Sequence, residues 1–411
     1  MNRLVIQPII RQHAANAAFY WHQKEESRFS PLVKRYDLSQ FNEYIDSNLD
    51  GLQVAGESGW TESYLALKRW HSQGEAFVCG VLANQYQNPD WMMAVREYVY
   101  KYPDMTLDGY IAALSFSAKR HVDETINELL SSPASLDVQM ALNICAKLKK
   151  YLPEDLILSK LQSNNAGESI AICNYIRYLG LKNFLPELKK CFESNELSVR
   201  FAGLHAACWL SSDKATLISP LCLLINDYLS ISSLKGLDGL KQSKQLEILI
   251  RLLGQCSSQG FFPSDFISTL PEYLQIIFYA HYSDADKLPF LLSLMTKEEL
   301  SRMTFVAVSL ITGIDIDEAE YLLPSQDEKL PKISSRLNVF STGIGRPDIN
   351  KVTSICHQYI GCGKLLRGKK ITTSWCNTNF TDESQLVRWI SAWHLFCLNK
   401  STSPLDNLNV L

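Results

Sequence analysis

An apolar pattern built around a small residue returns about every 30 residues through the middle of the chain. This recurrence limits the fold more than any other feature. Leu107-Asp-Gly-Tyr-Ile-Ala112 is followed 29 residues later by Leu136-Asp-Val-Gln-Met-Ala141. The pattern comes back as Glu168-Ser-Ile-Ala171, 30 residues on, and as Val199-Arg-Phe-Ala202, 31 beyond that. The copies continue at helical spacing, as in Ala141, Cys145, Leu148 and in Ala202, Ala206, Trp209. A small residue at one fixed place lets a neighbouring helix come close, and residues four and seven further on extend the same buried stripe. The spacing therefore predicts equivalent, buried positions for Ala112, Ala141, Ala171 and Ala202.

Between these copies lie shorter amphipathic stretches at 122–130, 153–161 and 184–192, with polar breaks such as Ser131-Ser-Pro or Ser163-Asn-Asn. Pro153 suits a first helical turn, where its missing N–H costs nothing. Two helices per repeat leave an apolar face that only neighbouring repeats can cover, which is the logic of an α-solenoid. Val199-Arg-Phe-Ala-Gly203 at a second-helix start resembles HEAT repeats in particular. The expectation is an all-α, HEAT-like α-solenoid of helical hairpins with helical N- and C-terminal caps. Residues 1–87 form the N-terminal helical region and 88–323 the repeat array, with a Ser-, Gly- and Lys-rich loop insertion near 230–245. Residues 324–350 read as a linker and 351–411 as a C-terminal helical region; 370–375 is the only strand candidate.

Composition narrows the function classes. The 411 residues carry 40 Lys plus Arg against 43 Asp plus Glu, net −3, so the chain lacks the overall basic field of a protein built for a phosphate backbone. No run of about 18 apolar residues exists to cross a membrane, and the first eleven residues lack the length and cleavage site of a signal peptide. The eleven cysteines are odd in number and form no Cys-x-x-Cys pair, as expected of reduced, buried thiols in a cytoplasmic protein.

The flanks carry a resemblance. Ala14-Ala-Asn-Ala-Ala-Phe-Tyr-Trp21, Asp50-Gly-Leu-Gln-Val-Ala-Gly-Glu-Ser-Gly-Trp60, Gly74-Glu-Ala-Phe77 and Ser309-Leu-Ile-Thr-Gly-Ile-Asp315 are similar to stretches of a bacterial HEAT-repeat family. Its genes are frequently encoded in type VI secretion clusters. Where that family carries paired tryptophans near the end of the chain, Thr353-Ser-Ile-Cys356 stands here. The resemblance implies a non-catalytic scaffold, adaptor or chaperone whose partner is a type VI secretion effector or assembly component. It supplies no catalytic residues, cofactor or metal.

Several motifs invite chemistry that their surroundings oppose. Asp46, Asn48, Asp50, Gly51 and Glu57 match a calcium loop, but Gln53 replaces its usual aliphatic residue and the segment reads better as a helix end. Cys356, His357, Cys362, Cys376, His394 and Cys397 have no zinc-finger or ribbon spacing. Gly361-Cys-Gly-Lys364 lacks both the upstream glycine and the following Ser or Thr of a phosphate loop. Asp315, Asp317, Glu318 and Glu320 read as a solvated or capping helix start. Ser211 and Lys214 pair only trivially, in a turn between repeats. Neither a catalytic set nor a cofactor site emerges, so the chain is read as a non-enzyme.

What remains is the exposed side of the second helices. Counting from the reference alanines gives Tyr110, Gln139, Asn143, Lys147, Arg177, Arg200 and His205 as the partner-binding residues. Tyr and Arg are over-represented in interface hot spots. An immunity-type protein that sequesters a co-encoded toxin would fit the same surface. A HEAT-like enzyme acting on nucleic acid would need a basic concave channel, which net −3 opposes. The ligand readings lead to one expected outcome: a metal chelator leaves the melting temperature unchanged. A drop, or stoichiometric zinc or calcium in the purified protein, would reverse it.

Overall fold

The computed structural model describes residues 6–116, 122–231, 237–324, 343–398 and 401–409. The protein is all-α: twenty-one α-helices stand among these residues, with one two-residue hairpin, Leu365–Leu366 against Lys369–Lys370. It divides into two compact units. The first holds residues 1–180 with 384–386 and 406–411, and the second holds 181–383 with 387–405.

In the first unit α1 (Gln7–Glu26) packs on α2 (Arg35–Ala55), α3 (Glu57–Trp70) and α4 (Gln73–Tyr86). A row then runs from α4 through α6 (Pro103–Phe116) and α8 (Ser135–Leu148) to α10 (Ala166–Leu179), each packed on the next. The helices between them, α5 (Pro89–Lys101), α7 (Val122–Ser131) and α9 (Glu154–Leu161), each pack against the row helix that follows. This serial stacking is consistent with a helical solenoid. The second unit repeats the scheme: α12 (Leu197–Leu210), α14 (Leu237–Cys256), α16 (Glu272–Tyr282) and α18 (Glu298–Thr312) form its row. Partners in that unit are α11 (Leu185–Lys190), α13 (Ile218–Ile231), α15 (Ser264–Thr269) and α17 (Leu288–Met295). Both α11 and α17 follow a 3₁₀ turn and open on Leu-Pro, the similarity that their sequences share. Helices α19 (Ile349–Cys356), α20 (Thr373–Asp382) and α21 (Gln385–Cys397) follow. Trp389, Trp393 and Phe396 of α21 surround Trp209 of α12 in the core of the second unit.

Helices α8, α10 and α12 begin at Ser135, Ala166 and Leu197, a step of 31 each time, and each is 14 residues long. Ahead of them Ser132, Ser163 and Ser194 accept, through Oγ, the backbone N–H two residues on. The first two also donate to a buried carboxylate in the first helical turn, Ser132 to Asp137 at 2.6 Å and Ser163 to Glu168 at 3.1 Å. Acids there meet unsatisfied N–H groups and the positive end of the helix.

This step corrects the alanine alignment. Ala171 and Ala202 are equivalent, but Ala141 falls one residue late and Ala112 several. Ala141, Ala171 and Ala202 are buried, whereas Ala112 is half-buried. The small residue that matters on α6 is Gly109, where a Cβ would stand 1.8 Å from the Gln73 carbonyl oxygen of α4. Other expectations shift too. The insertion near 230–245 is helical from Leu237 onward, since Leu246, Leu249, Ile250 and Leu253 carry a buried stripe that the Ser- and Lys-rich start conceals. Residues 232–236 and 325–342 of the expected insertion and linker lie outside the described residues. Of the strand candidate 370–375 only Lys370 lies in the hairpin, because Thr372 caps α20 by accepting from Trp375 N–H. The acidic run at 315–320 leads only into a 3₁₀ turn, Ala319–Tyr321.

Replacing Ala171 by Leu should overpack its buried place on α10 and cost about 1–3 kcal/mol in chemical denaturation. Ala112→Leu, on the half-buried face, should cost well under that. Equal midpoint shifts for the two variants would overturn the 31-residue register.

Candidate functional site

The residues expected to bind a partner separate once the register is fixed. Tyr110 is a correction: only 4% exposed, its ring lies against Gly80 of α4 rather than on the surface. Burial pushes its phenol up to about 12. With Gly109 pressed on α4, the next residue has to turn inward. Gln139, Asn143 and Lys147 do form one stripe along α8, at helical spacing of four. Gln139 donates to Ser135 Oγ at 3.2 Å and lies over Gly167 of α10, whose missing Cβ leaves the room. Asn143 donates back to the Gln139 carbonyl at 2.8 Å. Lys147, in the last turn of α8, is exposed and suits the negative helix end.

On α10 the Arg177 guanidinium stands 4.3 Å from the ring centre of Tyr178, a cation–π contact. Its Nε is closed to solvent and has no hydrogen-bond partner among the described residues. Tyr178 is the centre of a charged cluster within the first unit. Burial works to raise its pKa, but Arg177, Arg28 and Lys147 outweigh that and hold it below the ordinary phenol value. Lys147 is likewise governed by its neighbours: enclosure of its ammonium pulls it down, although the residue as a whole is exposed, and Glu25, Tyr178 and Asp406 lift it above the usual lysine value. Arg28, just after α1, donates to Asp406 Oδ1 at 2.7 Å, with Glu25 3.8 Å away. Burial pushes the Asp406 carboxyl up, yet Arg28 above all brings it down to about 2. Lys24 completes the group, its ammonium donating to Asn42 Oδ1 at 2.8 Å. Four cations thus face three carboxylates, Glu25, Asp46 and Asp406, and neither Lys147 nor Arg177 forms an ion pair among the described residues. Chemically this is a place to receive an oxyanion or a hydrogen-bond acceptor.

Arg200 and His205 belong to the second unit and do not join this cluster. Arg200 of α12 is tied to Asp227 of α13 at 2.7 Å, and His205 packs on Phe201 with ring centres 5.5 Å apart. Sequence reasoning missed Lys24, Glu25, Arg28, Tyr178 and Asp406. Tyr178, seven residues past Ala171, could have been found by helical counting; Arg28 and Asp406 lie 378 residues apart and could not.

The second unit buries a polar cluster of its own. Arg251, 3% exposed, lies 2.6 Å from His281 Nε2, with Gln255 Nε2 3.4 Å from Nδ1. Burial, then Arg251 and His394, hold His281 well below the ordinary histidine value, so the neutral ring accepts from the guanidinium. Burial and Lys364 lower His394 to about 4. Lys364, from the Gly361-Cys-Gly-Lys364 turn, donates to the Ser257 carbonyl at 2.7 Å. The Asp46–Asp50 carboxylates stand on α2, which continues to Ala55, so they line a helix rather than wrap an ion. Among the described residues no three His, Cys, Asp or Glu side chains come together in a way that could hold a metal ion. No helix there is long and apolar enough to cross a membrane. No protein-family model matches the chain, nor does any curated protein or any solved structure.

These shifts set the acid behaviour. A histidine whose pKa is lowered in the fold favours folding above its ordinary value near 6.5, and that contribution fades as pH falls towards about 4. His394→Gln should therefore flatten the decline in stability over that range by roughly 2 kcal/mol. Asp406, also lowered, contributes above the ordinary carboxylate value and loses its share only as pH falls from about 4 to about 2. An unchanged pH profile for His394→Gln in thermal melts would show that His394 does not titrate on unfolding.

Proposed function

We propose that this protein is a non-catalytic scaffold, an adaptor or chaperone of the HEAT-repeat kind that holds a protein partner. The observation that carries this is the stripe on the first unit: Gln139, Asn143 and Lys147 on α8 beside Arg177 and Tyr178 on α10, on helices already locked by packing. A preformed surface binds without the ordering cost of a flexible one. Exposed second-helix faces are where stacked helical hairpins meet their partners. The resemblance of residues 14–21, 50–60, 74–77 and 309–315 supports a cytoplasmic role in bacterial type VI secretion, with an effector or assembly component as the partner.

Arg200 is already engaged by Asp227, so the test falls on the other two cations. Lys147→Glu combined with Arg177→Glu should reduce the partner recovered by pull-down from the native host by about tenfold or more. Loss of even one charge-assisted hydrogen bond is worth about 1.5–3 kcal/mol. The helical circular-dichroism signal should be unchanged. A partner recovered at the wild-type level, or one that contacts only residues 1–87, would remove this face from the reading. A co-purifying toxin encoded next to the gene would make the partner class that of an immunity protein.

A further inference from the structure

The last described residues of the chain sit in the charged cluster of the first unit, and their seat shows what the cluster recognises. Arg28 Nη1 donates to Asp406 Oδ1 at 2.7 Å and to Asn407 Oδ1 at 3.3 Å. Asn407 answers by donating its amide to the Arg28 carbonyl at 2.7 Å and to the Gln385 carbonyl at 3.0 Å. Leu408 N–H donates to the same Asp406 carboxylate at 3.1 Å, closing a turn, and Asn409 N–H donates to the Asp406 carbonyl at 3.1 Å. Asn407 and Leu408 are buried. The segment thus offers one carboxylate on a tight turn, followed by an amide and an aliphatic anchor.

Charge makes the same point. Asp406 acts not only on Arg28 but on Lys24 and Lys147 as well. Without it, Lys24, Arg28, Lys147 and Arg177 would face only Glu25 and Asp46. We propose that this cluster is a docking site for an acidic peptide segment of a partner protein, and that Asp406–Asn409 is the chain's own occupant, which competes with it. The inference rests on the protein-binding reading above and names the chemistry of the partner. The incoming carboxylate takes the place of Asp406 on Arg28, and Lys147 and Arg177 hold a second acidic group beside Tyr178. No covalent step is involved. The tail, held in cis, keeps the site closed until a partner outcompetes it, so the apparent affinity falls by the fraction of time the site is open.

The probe is a fluorescein-labelled nonapeptide, Ser-Pro-Leu-Asp-Asn-Leu-Asn-Val-Leu, the chain's own residues 403–411 supplied in trans to the full-length protein. Wild type should bind it weakly in fluorescence anisotropy. Asp406→Asn, which keeps the shape but not the charge of the seated residue, should bind about tenfold tighter or more, corresponding to a tail that closes the site at least about nine-tenths of the time. Adding Lys147→Glu and Arg177→Glu should abolish the gain, and a peptide with Asn in place of Asp should not bind. The proposal is overturned if Asp406→Asn binds no better than wild type, or if charge reversal leaves binding intact. It is equally overturned if Asp406→Asn loses its helical signal, since the tail is then structural. A protein that gains peptide binding as described, yet keeps its host partner after charge reversal, leaves this inference standing and removes the scaffold face alone.

Discussion

The close approach of helices in the first unit's row is the constraint from which the rest of that unit follows. A Cβ on Gly74 would lie 2.6 Å from the Ala18 carbonyl oxygen, one on Gly80 2.6 Å from Ala113 Cβ, and one on Gly109 1.8 Å from the Gln73 carbonyl oxygen. Backbone meets backbone at two of these places, so α1, α4 and α6 cannot roll about their axes without a clash. Fixing the roll fixes which residues face inward. Tyr110 is driven into the core by its neighbour Gly109. At the α8–α10 contact, Gly167 leaves room for Gln139, and that keeps Asn143 and Lys147 on the accessible stripe. A surface that binds through a few polar groups gains from being set this firmly, because side chains ordered beforehand lose less entropy when a partner arrives.

Turn chemistry adds a second level of order. Ser132 and Ser163 each accept a backbone N–H and donate to an acid in the helix that follows, so the turn and the helix start are satisfied together. Arg96 of α5 reaches the same Asp137 at 2.6 Å, and Lys160 of α9 reaches Glu168 at 3.0 Å. A buried acid with several partners is stable where an unpaired one would be costly. The outer helices are thereby tied to the row by charge as well as by apolar packing. All three helices are 14 residues long, and in α8 and α10 the start is held by a serine paired with an acid.

The helices were legible in the sequence because amphipathic spacing is a local property. Stretches 122–130 and 153–161 predicted α7 and α9 almost to the residue. The register between repeats was less so, because alanine is common and small residues recur by chance. The serines at 132, 163 and 194 carry the true step, and they stand in the polar breaks that a search for apolar pattern passes over. Leu237 to Gln245 misled for a related reason. Gly239 and a dense set of Ser, Lys and Gln look like a loop, yet Tyr228 of α13 donates to Gln245 and the apolar stripe begins directly afterwards. The charged cluster was half legible. Lys147 and Arg177 follow from helical counting, but Arg28 and Asp406 meet only through the folded chain, and no local spacing records that.

Near-neutral total charge says little about such a cluster, because Coulomb interactions act over a few ångströms at a partly buried site and are screened beyond about 8 Å in physiological salt. What matters is the local sum, and four cations against three carboxylates leave an excess of one that the fold holds in place. That excess is also small and compact. A nucleic acid presents phosphates in a continuous series and is best met by cations spread along a groove. Here three of the cations converge on one tyrosine, and the group seated among them is a carboxylate set on a turn. An occupant of that kind supplies the ion pair, the acceptor for Arg28 and the buried aliphatic anchor within three successive residues. The proposed partner therefore needs only a short acidic segment with an apolar neighbour, a requirement that an exposed loop or chain end can meet without unfolding.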